Sequence, residues 1–411
     1  MRVGWQPWKG GRRRHRPPNR PVFFGVVEPG TATLRLLVAE ATQTQATIWG
    51  WAERKGPVAS DLDLQWLTSA CEDTLSIAEQ EAQQRRGQWF LPDQILVGLP
   101  ASQLRGGAWP VTQRRSRPER RIEEREFAAL LERALRLTYN RLAEPGGSSW
   151  VIVDAVPVSL TVDGHRVTDP VGFRGSEIGA TVFAAVARPE AIRTWQSVAQ
   201  TLEFSTLTVT AAPLALARVM SDPQGILLDV GDTTTDLVWY RSGSPLALES
   251  LPVGGAELTT SLMRKWRLTS TRADRLKQAY SGGRLDEDAR DQVLAVLAPV
   301  LQAWLEQTES ALARLNVDEQ LPEHLYLLGG GSLLPEITDA ARSLAWSQRL
   351  HFTRYPQVGR LKPTDVPGVV NYTELGRGAG DVPALALAAW TAQQMRPASQ
   401  PARILADLCY G

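Results

Sequence analysis

The chain has 411 residues, 45 basic and 44 acidic side chains, a formal net charge of +1 and 43% hydrophobic residues. This length accommodates two or three domains with a large core, and the composition is typical of a globular protein. Two cysteines exclude a disulfide framework, no Cys/His spacing typical of zinc sites occurs, and every apolar run is shorter than the ~18 residues that cross a membrane. We therefore expect a cytoplasmic protein.

The N-terminal segment, residues 1–21, differs from the rest of the chain. Its first twenty residues contain seven basic side chains, no acidic ones, and the tryptophans Trp5 and Trp8. We predict a disordered basic tail that suits an anionic membrane surface, because arginine and tryptophan both favour that interface. A solubilising tail or a nucleic-acid-binding arm is the alternative for this segment, although no nucleic-acid partner is expected for the chain.

A first strand–turn–strand segment follows at residues 23–38. Its turn contains Glu28, Pro29, Gly30 and Thr31. A carboxylate beside a Gly-Thr turn is suited to a cation and a phosphate, since backbone N–H groups and a hydroxyl can donate there. Gly-rich turns after strands are also common in ordinary hairpins.

Helical and extended patterns alternate through the middle of the chain. Leu64, Leu67 and Cys71 recur at helical spacing, and Asp61 or Asp63 could cap that helix. The predicted elements are a helix over 61–86, a strand region over 89–100, an exposed Arg-rich loop over 106–125, a helix over 126–142, a strand pair over 150–162, a strand over 181–187, a helix through Trp195 and Leu202, a strand over 207–209 and a helix over 211–220.

A second strand–turn–strand segment spans residues 227–238 and has an acid at each end of a threonine-rich turn. Asp229 and Asp236 flank Gly231, Asp232 and three threonines, Thr233, Thr234 and Thr235. Hydroxyls and turn N–H groups can bind phosphate oxygens, and the carboxylates can hold hydrated Mg²⁺. An ordinary hairpin with a Gly-Asp turn is the alternative.

The last third of the chain contains a triple glycine. An apolar strand runs into Gly329, Gly330, Gly331 and Ser332, which lets backbone approach a flat ligand closely. We also predict a long helix over 289–315, kinked or broken at Pro299, and a final helix over 382–394. Beyond it, the proline-containing end offers an apolar face too short for a stable interfacial helix.

Two acid-containing hairpins followed by Gly-Gly-Gly-Ser resemble the actin-like ATPase superfamily. Within it, residues 156–164, with their Val162-Asp163-Gly164 turn, and residues 169–177 are similar to signatures of the FtsA family. The resemblance implies an α/β protein with the actin-like two-domain ATPase fold, duplicated ribonuclease-H-like cores and an inserted FtsA-type subdomain. It covers roughly residues 22–390.

The resemblance also implies a domain organisation. Residues 22–90 and 180–212 would form the first actin-like domain, and residues 213–345 the second, which carries a lobe of the nucleotide site. The inserted subdomain would span 91–179, residues 346–395 would return to the core and supply the final helix, and residues 396–411 would form a C-terminal tail.

The nucleotide site implied by the resemblance takes residues from every motif, with ATP and Mg²⁺ as tentative cofactors. Glu28 and Asp229 would hold Mg²⁺ through water. The residues predicted to bind nucleotide are Glu28, Gly30, Thr31, Asp229, Gly231, Thr233, Thr234, Thr235, Asp236, Gly254, Gly255, Asp274, Lys277, Gly329, Gly330, Gly331 and Ser332. No catalytic residue is assigned.

Five departures from the FtsA pattern bear on activity. Glu28 replaces the family's aspartate, Pro29 removes a backbone donor, and Thr33 stands where a lysine or similar residue is usual. Asp232 and Thr233 occupy positions where glycines are expected. A carboxylate repels a phosphate by roughly 4 kcal/mol at about 4 Å in an intermediate dielectric. We therefore expect weak ATP binding and at most a weak ATPase.

The function implied is an FtsA-like adaptor in bacterial cell division. Such a protein would self-associate and link FtsZ-type filaments and other division proteins to the inner face of the cell membrane. The family's C-terminal amphipathic anchor is not evident, so any membrane contact would use the N-terminal tail. A PilM-like pilus-assembly adaptor is the first alternative, and a small-molecule kinase of the same fold is the second.

Overall fold

The computed structural model describes residues 21–30, 32–56, 63–88, 91–143, 149–315 and 320–410. The basic N-terminal segment up to residue 20, the alternative helix cap Asp61 and the predicted site residue Thr31 lie outside this range. Asp63 caps the first helix, because its Oδ1 accepts the Gln65 N–H at 2.9 Å.

Fifteen strands and ten α-helices alternate along the described chain. The strands are β1 (Val22–Pro29), β2 (Thr33–Ala41), β3 (Ala46–Lys55), β4 (Gln94–Leu99), β5 (Leu104–Arg114), β6 (Val151–Val162), β7 (His165–Val167), β8 (Glu177–Ala187), β9 (Thr206–Ala211), β10 (Gln224–Val230), β11 (Thr235–Arg241), β12 (Ser244–Leu251), β13 (His324–Leu328), β14 (Gln357–Arg360) and β15 (Val369–Asn371). The helices are α1 (Leu64–Arg86), α2 (Glu124–Leu142), α3 (Pro189–Thr201), α4 (Ala212–Val219), α5 (Gly255–Trp266), α6 (Ser270–Ser281), α7 (Glu287–Leu315), α8 (Pro335–Ser343), α9 (Val382–Gln394) and α10 (Gln400–Tyr410).

The strands form two sheets that share one local arrangement. The six-stranded sheet has the order β15-β3-β2-β1-β4-β9, and the nine-stranded sheet has the order β14-β13-β10-β11-β12-β5-β8-β6-β7. In each, an antiparallel hairpin is flanked by a parallel strand: β1–β2 by β4, and β10–β11 by β13. Because parallel strands end at the same edge of a sheet, the β10–β11 turn lies beside the glycine turn that follows β13.

Two buried helices join the sheets. α4 contacts β11 of the second sheet and α9 contacts β1 and β2 of the first, while the two helices pack against each other. Every residue from Val382 to Ala392 of α9 is buried. A helix that is apolar all round is stable only inside a core, so α4 and α9 form the packed connection between the two halves.

The segment between β4 and β9 extends the second sheet. β5 pairs with β12 at Ala247↔Gly107 and Leu248↔Gly106, and β8 and β6 continue the sheet outward. α2 covers this layer, and its Thr138 hydroxyl donates to the Val182 carbonyl at 3.0 Å. The predicted domain boundaries stay predictions. β4, which lies in the predicted insertion, is hydrogen-bonded within the six-stranded sheet.

Three expectations about elements are corrected. The loop predicted over 106–125 is wrong in its first half, because residues up to Arg114 pair with β8 along their length. Pro110 is tolerated there since, beyond the two pairs with β12, β5 has only β8 as a partner. The strand pair predicted over 150–162 is one long strand, β6, and the helix predicted over 289–315 is not broken at Pro299, because α7 continues through it.

The C-terminal end also differs from expectation. α10 is an eleven-residue helix that packs on α2 and β6, with Ile404 and Leu405 buried among the apolar residues of the β5–β8 layer. Isolated helices of this length are marginal, so tertiary burial rather than propensity accounts for it. Among the described residues, no helix combines the length and apolar character needed to cross a membrane.

Candidate functional site

A cleft of about 1060 Å³ lies where the turns of the two sheets meet. It is lined by the first hairpin, the second hairpin, the start of α5, one face of α6 and the glycine turn after β13. Twelve predicted site residues line it: Glu28, Gly30, Asp229, Gly231, Thr234, Asp236, Gly255, Asp274, Lys277, Gly329, Gly330 and Gly331. The fold thus brings together motifs separated by some three hundred positions in the chain.

Four other predicted residues do not line the cleft. Thr235 is buried, donates to the Val253 carbonyl at 2.8 Å and accepts the Trp304 indole N–H at 2.9 Å. Ser332 is buried and donates to the Gly329 carbonyl at 2.7 Å. Thr233 is exposed at the turn. The Thr235 and Ser332 hydroxyls therefore hydrogen-bond within the protein, and none of the three side chains lines the cavity.

Gly254, the fourth, is required by close packing. A Cβ at this position would lie 2.5 Å from the Asp232 carbonyl oxygen, which no side chain tolerates. The Gly254 N–H donates to Glu257 Oε2 at 2.9 Å, and the Ala256 N–H donates to the Asp232 carbonyl at 2.6 Å. The start of α5 is consequently fixed against the second hairpin.

The first hairpin carries an ion pair directed at the cleft. Glu28 and Arg35 are paired positions of β1 and β2, and Arg35 Nη1 lies 2.8 Å from Glu28 Oε2. Arg35 Nε also donates to Asp381 Oδ1 at 2.9 Å, just before α9. Burial raises the pKa of Glu28, and Arg35 opposes that rise. Burial alone would lower the pKa of Arg35, but Glu28 and Asp381 raise it.

Arg35 was not among the predicted site residues. The sequence comparison placed Thr33 at the family's lysine position, whereas Arg35, two residues later, supplies the cation. Antiparallel pairing is the signal that could have found it, because a turn closing between Pro29 and Leu34 places Arg35 opposite Glu28.

The second hairpin places two acids opposite each other. Asp229 and Asp236 are paired positions of β10 and β11. Burial, followed by the charges of Asp236 and Glu28, raises the pKa of Asp229 to about 8. Among the described residues, no side chain or backbone N–H donates a hydrogen bond to the Asp229 carboxylate, which is partly exposed to the cleft.

Asp236 is bound to its surroundings by both oxygens. Ser250 Oγ donates to Oδ1 at 2.5 Å, and the Ala101 N–H donates to Oδ2 at 3.2 Å. Burial raises its pKa, and these hydrogen bonds oppose the rise. Asp236 therefore ties the second hairpin to the segment between β4 and β5 and has little capacity left for another ligand.

α6 closes one side of the cleft. Lys277 Nζ donates to Thr259 Oγ1 at 2.7 Å and to the Gly255 carbonyl at 3.1 Å, and lies 3.3 Å from Asp274 Oδ1. Burial raises the pKa of Asp232, which Lys277 opposes. Lys277 is the cation on this wall and lies near the carboxylate that departs from the family pattern.

The glycine turn brings backbone against the second hairpin. Gly329 has φ +81°, and a Cβ there would lie 2.3 Å from Asp229 Oδ1. A Cβ at Gly331 would lie 2.4 Å from Val230 Cγ1, whereas one at Gly330 would meet nothing within 4 Å. Two glycines thus allow the close approach, and the third leaves the wall open toward the cleft.

The donor set fits a magnesium ion that completes its shell with phosphate and water. No group of three or more His, Cys, Asp and Glu close enough to hold a metal occurs in the part of the chain that the structure describes. Mg²⁺ bound with a nucleotide commonly uses only one or two carboxylates. Asp229, whose carboxylate lines the cleft and accepts no hydrogen bond from the described residues, meets that requirement.

Comparison with protein families shows a likeness to FtsA. The family model of the cell division protein FtsA matches residues 226–372, which contain the second hairpin and the glycine turn. FtsA of Rhizobium meliloti (strain 1021) is 22% identical over 318 residues, 71% of this chain and 68% of that protein. FtsA of Helicobacter pylori (strain ATCC 700392 / 26695) is 23% identical over 233 residues, and there the match spans about half of each protein (50% and 46%).

Solved structures agree on the fold. A chain of the PilM–PilN type IV pilus biogenesis complex superposes with a TM-score of 0.65 at 19% identity, covering 91% of this chain and 98% of that one. The ethanolamine utilization protein EutJ from Carboxydothermus hydrogenoformans gives a TM-score of 0.50 at 15% identity and 91% coverage of both chains. The chain thus has the predicted actin-like ATPase fold, and its sequence is similar at low identity to that of FtsA.

Proposed function

We propose that this protein is an actin-like adaptor of bacterial cell division that binds ATP with Mg²⁺ in the cleft between its two sheets. One observation carries the proposal: two hairpin turns and a glycine turn, far apart in the chain, converge on a single cavity beside an uncompensated carboxylate. Phosphate oxygens need backbone and hydroxyl donors, and a metal-bound phosphate needs a carboxylate nearby.

Each wall of the cleft would have a separate part in binding. Thr234 and the backbone around Gly231 would donate to phosphate oxygens, and the open wall at Gly330 would receive the base. Lys277 and Asp274 would lie toward the ribose. Asp229, with Glu28, would hold Mg²⁺ through water, and the metal would supply positive charge that offsets the phosphates.

The same residues argue for weak hydrolysis. Arg35 already neutralises Glu28, and Pro29 offers no N–H to the first turn. Both oxygens of Asp236 accept hydrogen bonds from the protein. Phosphoryl transfer depends on groups that orient the attacking water and neutralise charge on the phosphate. In the first hairpin, Glu28 and Arg35 are already paired with each other, so neither is free for these tasks. We infer that bound nucleotide sets the conformation of the protein and that ATP is hydrolysed slowly.

The adaptor role rests on the likeness to FtsA. We propose that the protein self-associates, binds FtsZ-type filaments and other division proteins, and acts as a peripheral protein on the cytoplasmic face of the membrane. The basic N-terminal segment is the proposed membrane contact, since about 1 kcal/mol per basic residue is gained near an anionic surface. A PilM-like role in pilus assembly is the alternative, supported by likeness of fold alone.

Calorimetry of Mg·ATP binding to the full chain tests the nucleotide proposal. Wild-type protein should bind, and Asp229→Asn should lose at least about tenfold in affinity because the metal loses its carboxylate. Asp73→Asn, the same change on the exposed face of α1, is the matched control. Equal affinity in Asp229→Asn and wild type would contradict the proposal.

Co-sedimentation distinguishes the two adaptor roles. Purified FtsZ filaments from the same bacterium should retain this protein, whereas PilN should not. Retention by PilN alone would replace the division role with the pilus role while leaving the nucleotide proposal untouched. Release of phosphate from ATP, measured in parallel, should be slow with or without FtsZ.

A further inference from the structure

A pair of exposed aromatic side chains lies beside β14. Trp346 and Tyr355 are 77% and 63% exposed, and their rings meet edge to face with centroids 5.9 Å apart. Tyr355 stands two residues before β14, so the pair marks the beginning of that strand. Large aromatic rings carry much of the binding energy where proteins meet, because binding removes their large apolar surface from water.

β14 is also an open edge. Within the described residues it is the terminal strand of the nine-stranded sheet, with β13 as its one neighbour. The Gln357 N–H donates to the Glu323 carbonyl at 2.6 Å and the Leu361 N–H to the Leu327 carbonyl at 2.8 Å. Because successive residues of a strand alternate, the backbone groups of Val358 point away from β13. An edge of this kind can pair with another strand.

The surface around this edge is cationic. Residues 341–360 contain four arginines and no aspartate or glutamate. Arg349 lies 3.6 Å from Glu309 and Arg354 lies 3.7 Å from Glu323, but these carboxylates are about three-quarters buried while the guanidinium groups are mostly exposed. Asp339, 3.4 Å from Arg342, is an exposed acid on the neighbouring helix α8. A partner approaching β14 would therefore meet guanidinium groups first.

We infer that β14, with Trp346 and Tyr355, is the docking site for an extended acidic peptide segment of a partner protein, which adds to the sheet as a further strand. Backbone hydrogen bonds to Val358 would give affinity, and alternate side chains would give specificity. Acidic side chains on one face would meet Arg349 and Arg354, and apolar ones would cover the aromatic pair.

An acidic peptide fits this surface better than a lipid bilayer. Lysine, arginine and tryptophan together also suit an anionic membrane. A bilayer, however, leaves unpaired backbone groups of an edge strand unsatisfied, whereas a peptide strand pairs with them. Trp346, Tyr355 and Val358 do not line the nucleotide cleft, so this site does not depend on the proposed function.

Fluorescence anisotropy with a synthetic probe tests the inference on the full chain. The probe is a labelled peptide in which glutamate alternates with valine and phenylalanine, and its control replaces every glutamate with lysine. Wild-type protein should bind the acidic peptide in a saturable, salt-sensitive manner and bind the lysine peptide at least about tenfold more weakly.

Two pairs of variants separate this site from general stickiness. Val358→Pro removes the outward N–H while leaving the ladder to β13 intact, and Val358→Thr keeps that N–H in a similar shape. Trp346→Ala removes one ring, and Trp346→Phe restores an aromatic face. We expect Val358→Pro and Trp346→Ala to lose about tenfold or more in affinity and their partners to retain it. Unchanged Mg·ATP affinity and circular dichroism would show that the fold persists.

Several results would overturn the inference. Equal binding of both peptides, or full binding by Val358→Pro, would exclude strand addition. Absence of peptide binding together with Trp346-dependent binding to phosphatidylglycerol vesicles would assign the surface to the membrane. Absence of peptide binding with Trp346-dependent self-association in sedimentation would assign it to a second copy of this chain. Absence of all three would leave the aromatic pair without a binding role.

Discussion

The two hairpins of the cleft have the same geometry and opposite electrostatics. In each, an acid on the first strand pairs with the residue seven positions later: Glu28 with Arg35, and Asp229 with Asp236. The first pair is a salt bridge at 2.8 Å, and the second sets two carboxylates against each other. The protein itself neutralises the carboxylate of the first hairpin, whereas the carboxylate of the second would be stabilised by a proton or a cation.

This difference separates a structural role from a binding role. A carboxylate paired with arginine, such as Glu28, gains less from a metal than Asp229, whose pKa is raised to about 8 and which any cation entering the cleft would stabilise. We therefore propose that ligands bind chiefly to the second hairpin, while Arg35 of the first hairpin chiefly joins α9 to the first sheet.

The largest effect is expected from Arg35→Met. Glu28 and Asp381 would keep their charges in a poorly hydrated site without a partner, which should lower the free energy of unfolding by about 2–4 kcal/mol. Urea denaturation measures it. Arg54→Met on the neighbouring strand β3, which breaks an exposed ion pair with Asp73 of α1, is the control and should cost less than about 1 kcal/mol. Equal losses of unfolding free energy in the two variants would contradict a special structural role for Arg35.

Asp229→Asn should do the opposite and stabilise the free protein. Because burial and like charges raise the pKa of Asp229 from its ordinary value to about 8, ionisation opposes folding. That cost is absent below about pH 4, grows as the pH rises toward about 8, and is constant above. We expect a gain of about 1–3 kcal/mol at alkaline pH, discounted for the exposed part of the carboxylate, and almost none in acid.

Denaturation of wild type and Asp229→Asn across this pH range, without Mg²⁺, shows whether the substitution raises or lowers the free energy of unfolding. A variant that is less stable than wild type at alkaline pH would show that the Asp229 carboxylate is already compensated.

A smaller effect is expected from Asp236→Asn. The amide oxygen can still accept from Ser250 or Ala101, but the charge facing Asp229 is lost. The pH at which Asp229 titrates should fall by about one unit or less. The carboxyl resonance of Asp229 followed by NMR reports it directly. An unmoved midpoint would mean that the charge of Asp236 does not contribute to the raised pKa of Asp229.

Glu28→Asp should have the smallest effect. It restores the residue type of the FtsA first loop but shortens the side chain, which weakens the 2.8 Å contact with Arg35. We expect a loss of about 0.5–1 kcal/mol in thermal or urea unfolding, because Asp381 and Glu53 still face Arg35. A gain in stability would indicate that Glu28 is strained against Arg35.

The local parts of the cleft could be predicted from the sequence. Each hairpin and the triple glycine are formed by contiguous residues, so strand pattern and turn chemistry suffice to find them. The convergence of these motifs followed from a resemblance to the actin-like fold, and the fold itself is confirmed. Thr235 and Ser332 were expected to face the ligand, but which side of a turn a hydroxyl takes depends on packing.

The remaining features depend on contacts distant in sequence. Asp381 lies 346 residues from the Arg35 that it binds, and no local pattern points to that pair. The Gly-, Pro- and Arg-rich content of 106–125 favours a loop, yet pairing with β8 overrides it as far as Arg114. α10 has too few residues to be stable alone and is stabilised by burial of Leu405 against α2 and β6.

The pH dependence of Mg·ATP affinity shows most directly whether Asp229 of the second hairpin holds the metal. Calorimetry should show an association constant that rises with pH and levels near about pH 8, because the ionised form of Asp229 holds the metal. Asp229→Asn should remove both the dependence and most of the affinity. Binding that is independent of pH and unchanged in Asp229→Asn would contradict the assignment of the second hairpin as the binding element.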